Sequence, residues 1–172
     1  MIDASSLSVL PNLRDHKCFG CSPVNPHGLK MVFLAADGAV VSRLTVPNHL
    51  CGWNNLVHGG VVSTILDEIM SRSAIYLLRR VILTRSIQVD FLKPAFTGTP
   101  VQAEGRILEE VSEREATIEG RLFNADGELC ARATGTFALF TSESIRRLNF
   151  MDMALVEGIE ALINADENTG SK

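Results

Sequence analysis

The sequence predicts an α+β domain in which a mainly antiparallel sheet of five or six strands wraps around one long central helix. Three observations carry this. A single stretch, from Gly59 to about Arg79, repeats apolar residues at three- and four-residue steps: Val62, Ile65, Leu66, Ile69, Met70, Ala74, Leu77 and Leu78. The flanking segments instead alternate apolar and polar residues, as half-buried strands do. Asp37-Gly38 and Asp126-Gly127 join two pairs of those segments as hairpin dipeptides. A helix apolar over so much of its circumference needs cover on several sides, which a curved sheet supplies.

Taken in order, residues 1–15 form an N-terminal arm whose short apolar pattern at Leu7, Leu10 and Leu13 suits a short helix or an extended arm. Residues 16–29, rich in Cys, Gly, Pro and Asn, read as an ordered loop. Strands are expected over 31–36 and 39–46, then a loop over 47–57 that carries Trp53, Asn54 and Asn55. After the helix, Ser86, Gln88 and Asp90 alternate with Ile87, Val89 and Phe91 in a strand stopped by Pro94. Three more strands are expected over 101–111, 116–124 and 129–141, closing a domain over 16–141. Ser142 then caps an additional helix over 142–164, with Ile145, Leu148, Leu155, Ile159 and Leu162 near one face. Residues 165–172 are a polar, flexible tail.

A chain of 172 residues with 46% hydrophobic content is large enough for one substantial core. Its net charge of −4, with no run of Lys or Arg longer than the pairs Arg79-Arg80 and Arg146-Arg147, offers no field for nucleic acid. No apolar run reaches the roughly 18–20 residues that cross a bilayer, and the first residues lack a basic start and apolar core, so no membrane association and a cytoplasmic location are expected. Cys18 and Cys21 form a single Cys-x-x-Cys, with His16 and His27 close in sequence. A specific zinc signal needs two such pairs, so these cysteines are read as reduced, partly buried thiols and no metal site is assigned.

The segment His58-Gly59-Gly60 leading to Asp67-Glu68 concentrates the chemistry. Two glycines at a helix start let a ligand approach backbone N–H groups that point along the positive end of the helix. Two carboxylates follow about two turns later and face about 100° apart, so only one can serve a given site. Together with Val57, the strand ending in Lys93-Pro94 and the upstream Cys18-Phe19-Gly20-Cys21-Ser22-Pro23-Val24-Asn25-Pro26-His27-Gly28-Leu29, this segment resembles the acyl-CoA thioesterases of the hotdog superfamily, in the branch typified by phenylacetyl-CoA thioesterases. The resemblance covers residues 16–141.

That resemblance implies the hotdog fold, an acyl- or aryl-CoA thioester as substrate, no cofactor, and a homodimer or dimer of dimers with active sites between subunits. It implies Asp67 as general base or nucleophile and the N–H of Gly60 or Gly59 as oxyanion donor. Thr84 orients the acid or the water, His58 positions the turn, and Glu68 is the competing acid. Where some relatives carry an asparagine six positions before the histidine this chain has Gly52, and Asn54 or Asn55 stands in for it. Arg85, Lys93 or Arg72 meets the CoA phosphates. A non-catalytic acyl-CoA-binding module is the alternative, and a dehydratase of the same fold a more distant one; an acid at position 67 favours hydrolysis over both.

Overall fold

A computed structural model describes residues 1–164 apart from 6, 14 and 150; the expected tail over 165–172 lies outside the described residues. Both Asp-Gly dipeptides make the turns expected of them, with Gly38 at φ 62° and Gly127 at φ 78°, where glycine alone is free of strain. The first joins β2 (Leu34–Ala36) to β3 (Ala39–Thr45), and the second joins β6 (Glu115–Phe123) to β7 (Leu129–Phe140). With β1 (Ser8–Val9), β4 (Val81–Phe91) and β5 (Pro100–Ser112) they form one antiparallel sheet in the order β1-β2-β3-β5-β6-β7-β4. The sheet has seven strands because the N-terminal arm, instead of coiling, pairs Ser8 and Val9 with β2.

The central helix α1 (Gly59–Leu78) begins where His58 Nδ1 accepts the Gly60 N–H at 3.0 Å and ends at Arg79, which takes a left-handed φ of 52°. Ile65, Leu66, Ile69 and Met70 are fully buried against the sheet. Each contributes roughly 1.5–3 kcal/mol by leaving water. Close packing depends on Gly105 in β5, where a Cβ would lie 2.3 Å from Ser73 Oγ and 2.7 Å from the Ile69 carbonyl oxygen. Its sheet partner Gly120 faces Met70 in the same way, so two glycines in register make the trough in which α1 rests. The alternation read in β6 is present, with Ile118, Gly120 and Leu122 inward.

The expected helix over 142–164 is two helices, α2 (Ser142–Leu148) and α3 (Met153–Asn164). Asn149 turns left-handed at φ 48° and ends α2, and the Asp152 carboxylate accepts the Ala154 N–H at 2.9 Å to start α3. The α2 cap is Thr141, not Ser142: its Oγ1 accepts the Ser144 N–H at 3.2 Å. Ile145 and Val156 close on Val81 at the start of β4 as a second, smaller core, whereas Leu148 is exposed. Among the described residues no helix is long and apolar enough to cross a membrane.

Candidate active site

The loop before α1 is tied down by backbone bonds. Val57 N–H reaches the Ala95 carbonyl at 2.9 Å, His58 N–H the Leu50 carbonyl at 3.2 Å and Gly52 N–H the Leu56 carbonyl at 2.8 Å. Asn54 is left-handed at φ 53°, and the Asn55 carbonyl accepts from Thr97 N–H at 2.8 Å. Both asparagines therefore shape the turn through their backbones. The Gly60 N–H is engaged by His58 Nδ1. The Gly59 N–H has no acceptor among the described residues and borders a cavity of about 350 Å³ lined by Leu56, Val62, Phe91, Leu122 and Cys130. An apolar cavity meeting a free N–H at a helix start suits a carbonyl with an apolar tail.

Asp67 lies further along the same helix, half-buried, and does not line this cavity. Thr84 Oγ1 donates to its Oδ1 at 2.8 Å. A bulge between Thr84 and Ser86 interrupts the pairing of β4 with β7 beside this contact. Burial raises the Asp67 pKa, the Thr84 hydrogen bond pulls it back, and nearby Cys18 adds to the rise. A partly desolvated carboxyl that keeps one hydroxyl donor is a stronger base than a solvated one. Along the helix axis it sits about 12 Å from Gly59, at 1.5 Å per residue. One chain thus holds a half-buried carboxyl and a free N–H too far apart to meet on one small substrate.

Glu68 turns away from Asp67, toward the loop that precedes β2. Its Oε1 accepts from the Cys18 thiol at 3.0 Å, and burial pushes its carboxyl up to about 8, with Cys18 adding to the shift. Sequence reading missed this contact. Fifty positions separate the two residues, and no periodicity links a loop thiol to a helical acid.

The basic residues diverge. Lys93 borders the cavity and pairs with Glu128 at 2.5 Å, Arg85 pairs with Glu115, and both lie on the surface. Arg72 is buried, stacked over the Phe33 ring at 5.3 Å and bonded to the Pro11 carbonyl. It serves packing and is not presented to a ligand, contrary to its place among the expected phosphate contacts.

Residues 54–131 match the model of the thioesterase superfamily, a stretch that includes every candidate residue from Asn54 to Lys93. Comparison with curated protein sequences gives no match. Among solved structures, a thioesterase superfamily protein superposes with a TM-score of 0.62 at 25% identity, over 67% of this chain and 60% of that one. The chain thus spans less than two thirds of that relative's length. The PaaI protein from the phenylacetic acid degradation operon of E. coli superposes with a TM-score of 0.60 at 18% identity, over 66% of this chain and 81% of that one. A hypothetical thioesterase of Streptococcus pneumoniae, solved with coenzyme A, gives 0.56 at 22% identity, over 60% and 82%. With the helix, the wrapped sheet and the superposed structures agreeing, the chain has the hotdog fold, and its segment 54–131 is similar to the thioesterase superfamily.

Proposed function

We propose that the protein is an acyl-CoA thioesterase that hydrolyses a small acyl- or aryl-CoA to the free acid and CoA. The observation that carries this reading is Asp67, half-buried and held at 2.8 Å by Thr84, on the helix whose start leaves the Gly59 N–H free beside an apolar cavity. As general base, Asp67 takes a proton from water while the water oxygen attacks the thioester carbonyl. As nucleophile, its carboxylate attacks directly, and water then cleaves the resulting anhydride. In either case the carbonyl oxygen becomes an oxyanion facing the Gly59–Gly60 helix start, the C–S bond breaks, and the CoA thiolate leaves and is protonated. His58 holds the turn through Gly60. Lys93 at the cavity mouth and Arg85 on β4 meet the CoA phosphates.

Two subunits complete the site in this reading. Strand β4 is an edge strand of 11 residues, while the opposite edge, β1, has two. A long unpaired edge is suited to a second copy, which brings the helix start of one subunit to the Asp67 of the other. The coenzyme A found with the S. pneumoniae relative favours a CoA ester as ligand. The four cysteines are all free thiols, which fits a cytoplasmic protein.

The test is release of free CoA, followed with a thiol reagent, from acetyl, hexanoyl, lauroyl, palmitoyl, phenylacetyl and hydroxybenzoyl thioesters, with Asp67→Asn in parallel. Turnover of some members that collapses in the variant is expected. Binding of these esters without turnover would instead make the protein an acyl-CoA-binding module.

A further inference from the structure

We propose that His16, Cys18, Cys21 and Glu68 form a zinc-binding site that fastens the N-terminal loop to the central helix. Ligand atoms of His16, Cys18 and Cys21 all lie within 4.8 Å of one another. Thiolate and imidazole together suit zinc, and a carboxylate is an ordinary fourth ligand. Bonds of about 2.0–2.3 Å in a tetrahedron put ligand atoms about 3.3–3.8 Å apart. Closure on an ion is therefore a matter of side-chain rotation.

Independent features prepare the site. His16 Nε2 is buried without a hydrogen-bond partner among the described residues, an arrangement that costs free energy unless something occupies it. Gly20 N–H donates to the Cys18 sulfur at 3.3 Å, which favours the thiolate a metal requires. The loop is held in shape by Ser22, buried, whose hydroxyl donates to the His16 carbonyl at 2.5 Å, and by Asn12, whose amide donates to the Cys21 carbonyl at 2.8 Å. The Glu68 side chain enters between the cysteines because residue 20 is glycine: a Cβ there would lie 2.2 Å from Glu68 Cγ. Its Oε1 already stands 3.0 Å from the Cys18 sulfur. His27, by contrast, is exposed and stays outside the cluster. Binding releases the thiol protons to solvent and takes Glu68 out of contention as the catalytic acid.

The experiment uses the whole reduced protein, purified without chelators. Metal analysis and titration with zinc chloride against a chromophoric chelator should give about one zinc per chain. Cobalt(II) in its place should give the visible spectrum of a tetrahedral, thiolate-bound ion. Cys18→Ser, Cys21→Ser and His16→Ala should lose the ion, Cys51→Ser and Cys130→Ser should keep it, and Glu68→Gln should weaken affinity by about tenfold or more. Zinc should also protect Cys18 and Cys21 of the unaltered chain, but not exposed Cys51, from iodoacetamide. That readout stands even if a variant misfolds. Absence of stoichiometric zinc, or equal alkylation of Cys18, Cys21 and Cys51 in its presence, overturns the site. None of these readouts depends on thioester turnover, so their failure leaves the thioesterase reading where it was.

Discussion

Asp67 loses water on one side through burial in the helix–sheet layer and keeps a hydroxyl donor on the other, so its basicity is set by its surroundings. Replacing it by Asn preserves shape and removes the proposed base or nucleophile. We expect kcat to fall by about 10²–10⁴-fold, with binding of a CoA ester retained by calorimetry; a variant that keeps half its turnover would move the chemistry elsewhere. Thr84→Val removes the hydroxyl that holds Oδ1. A hydrogen bond to a charged group contributes about 1.5–3 kcal/mol, so a drop of about 10- to 100-fold in kcat with little change in KM is expected from steady-state kinetics. Both positions are named through the family resemblance, and the hydrogen bond between them follows from Thr84 standing near the start of the strand after the helix. The Cys18–Glu68 contact could not be read from the sequence, since it depends on how a loop folds back on that helix. The shaping roles of Asn54 and Asn55 were likewise hidden in backbone angles.

The main secondary elements were legible for the same reason that they are stable: each repeats a single pattern long enough to bury one face. Five strands and α1 do this. The N-terminal pairing of Ser8 and Val9 does not, because two residues show no alternation. The C-terminal helices misled for the opposite reason: apolar residues keep helical spacing across the break between Leu148 and Met153, and only the left-handed Asn149 and the capping Asp152 interrupt the backbone. The fit of α1 into the sheet rests on a missing Cβ at Gly105, where the obstructing atoms include the helix backbone. Gly105→Ala therefore forces α1 away from β5. A loss of about 1–3 kcal/mol, read as a lower urea midpoint with the m-value unchanged, is the expected result. An unaltered midpoint would mean that the helix can lift at no cost.

At the scale of the molecule, the helix start and the acid are about 12 Å apart on one rigid helix, so no side-chain rotation within the chain joins them. Strand β4 leaves its outer edge unpaired along 11 residues, and Phe91 and Leu92 remain exposed beside Gly59, where a second copy would cover them. The proposed sharing of sites between two subunits makes a sharp demand on mixed assemblies. Asp67→Asn spoils the acid, and Gly59→Val obstructs the helix start without a severe clash, since a Cβ there lies no closer than 3.6 Å to the Phe91 ring. Each variant alone should be nearly inactive. In a randomly mixed dimer population half the assemblies are hybrids, and each hybrid pairs the intact acid of one subunit with the intact helix start of the other at one of its two sites. Co-refolding equal amounts should thus restore about a quarter of the wild-type turnover. If each site lay within a single chain, every subunit in the mixture would carry a damaged site, and the mixture would be no more active than its parents.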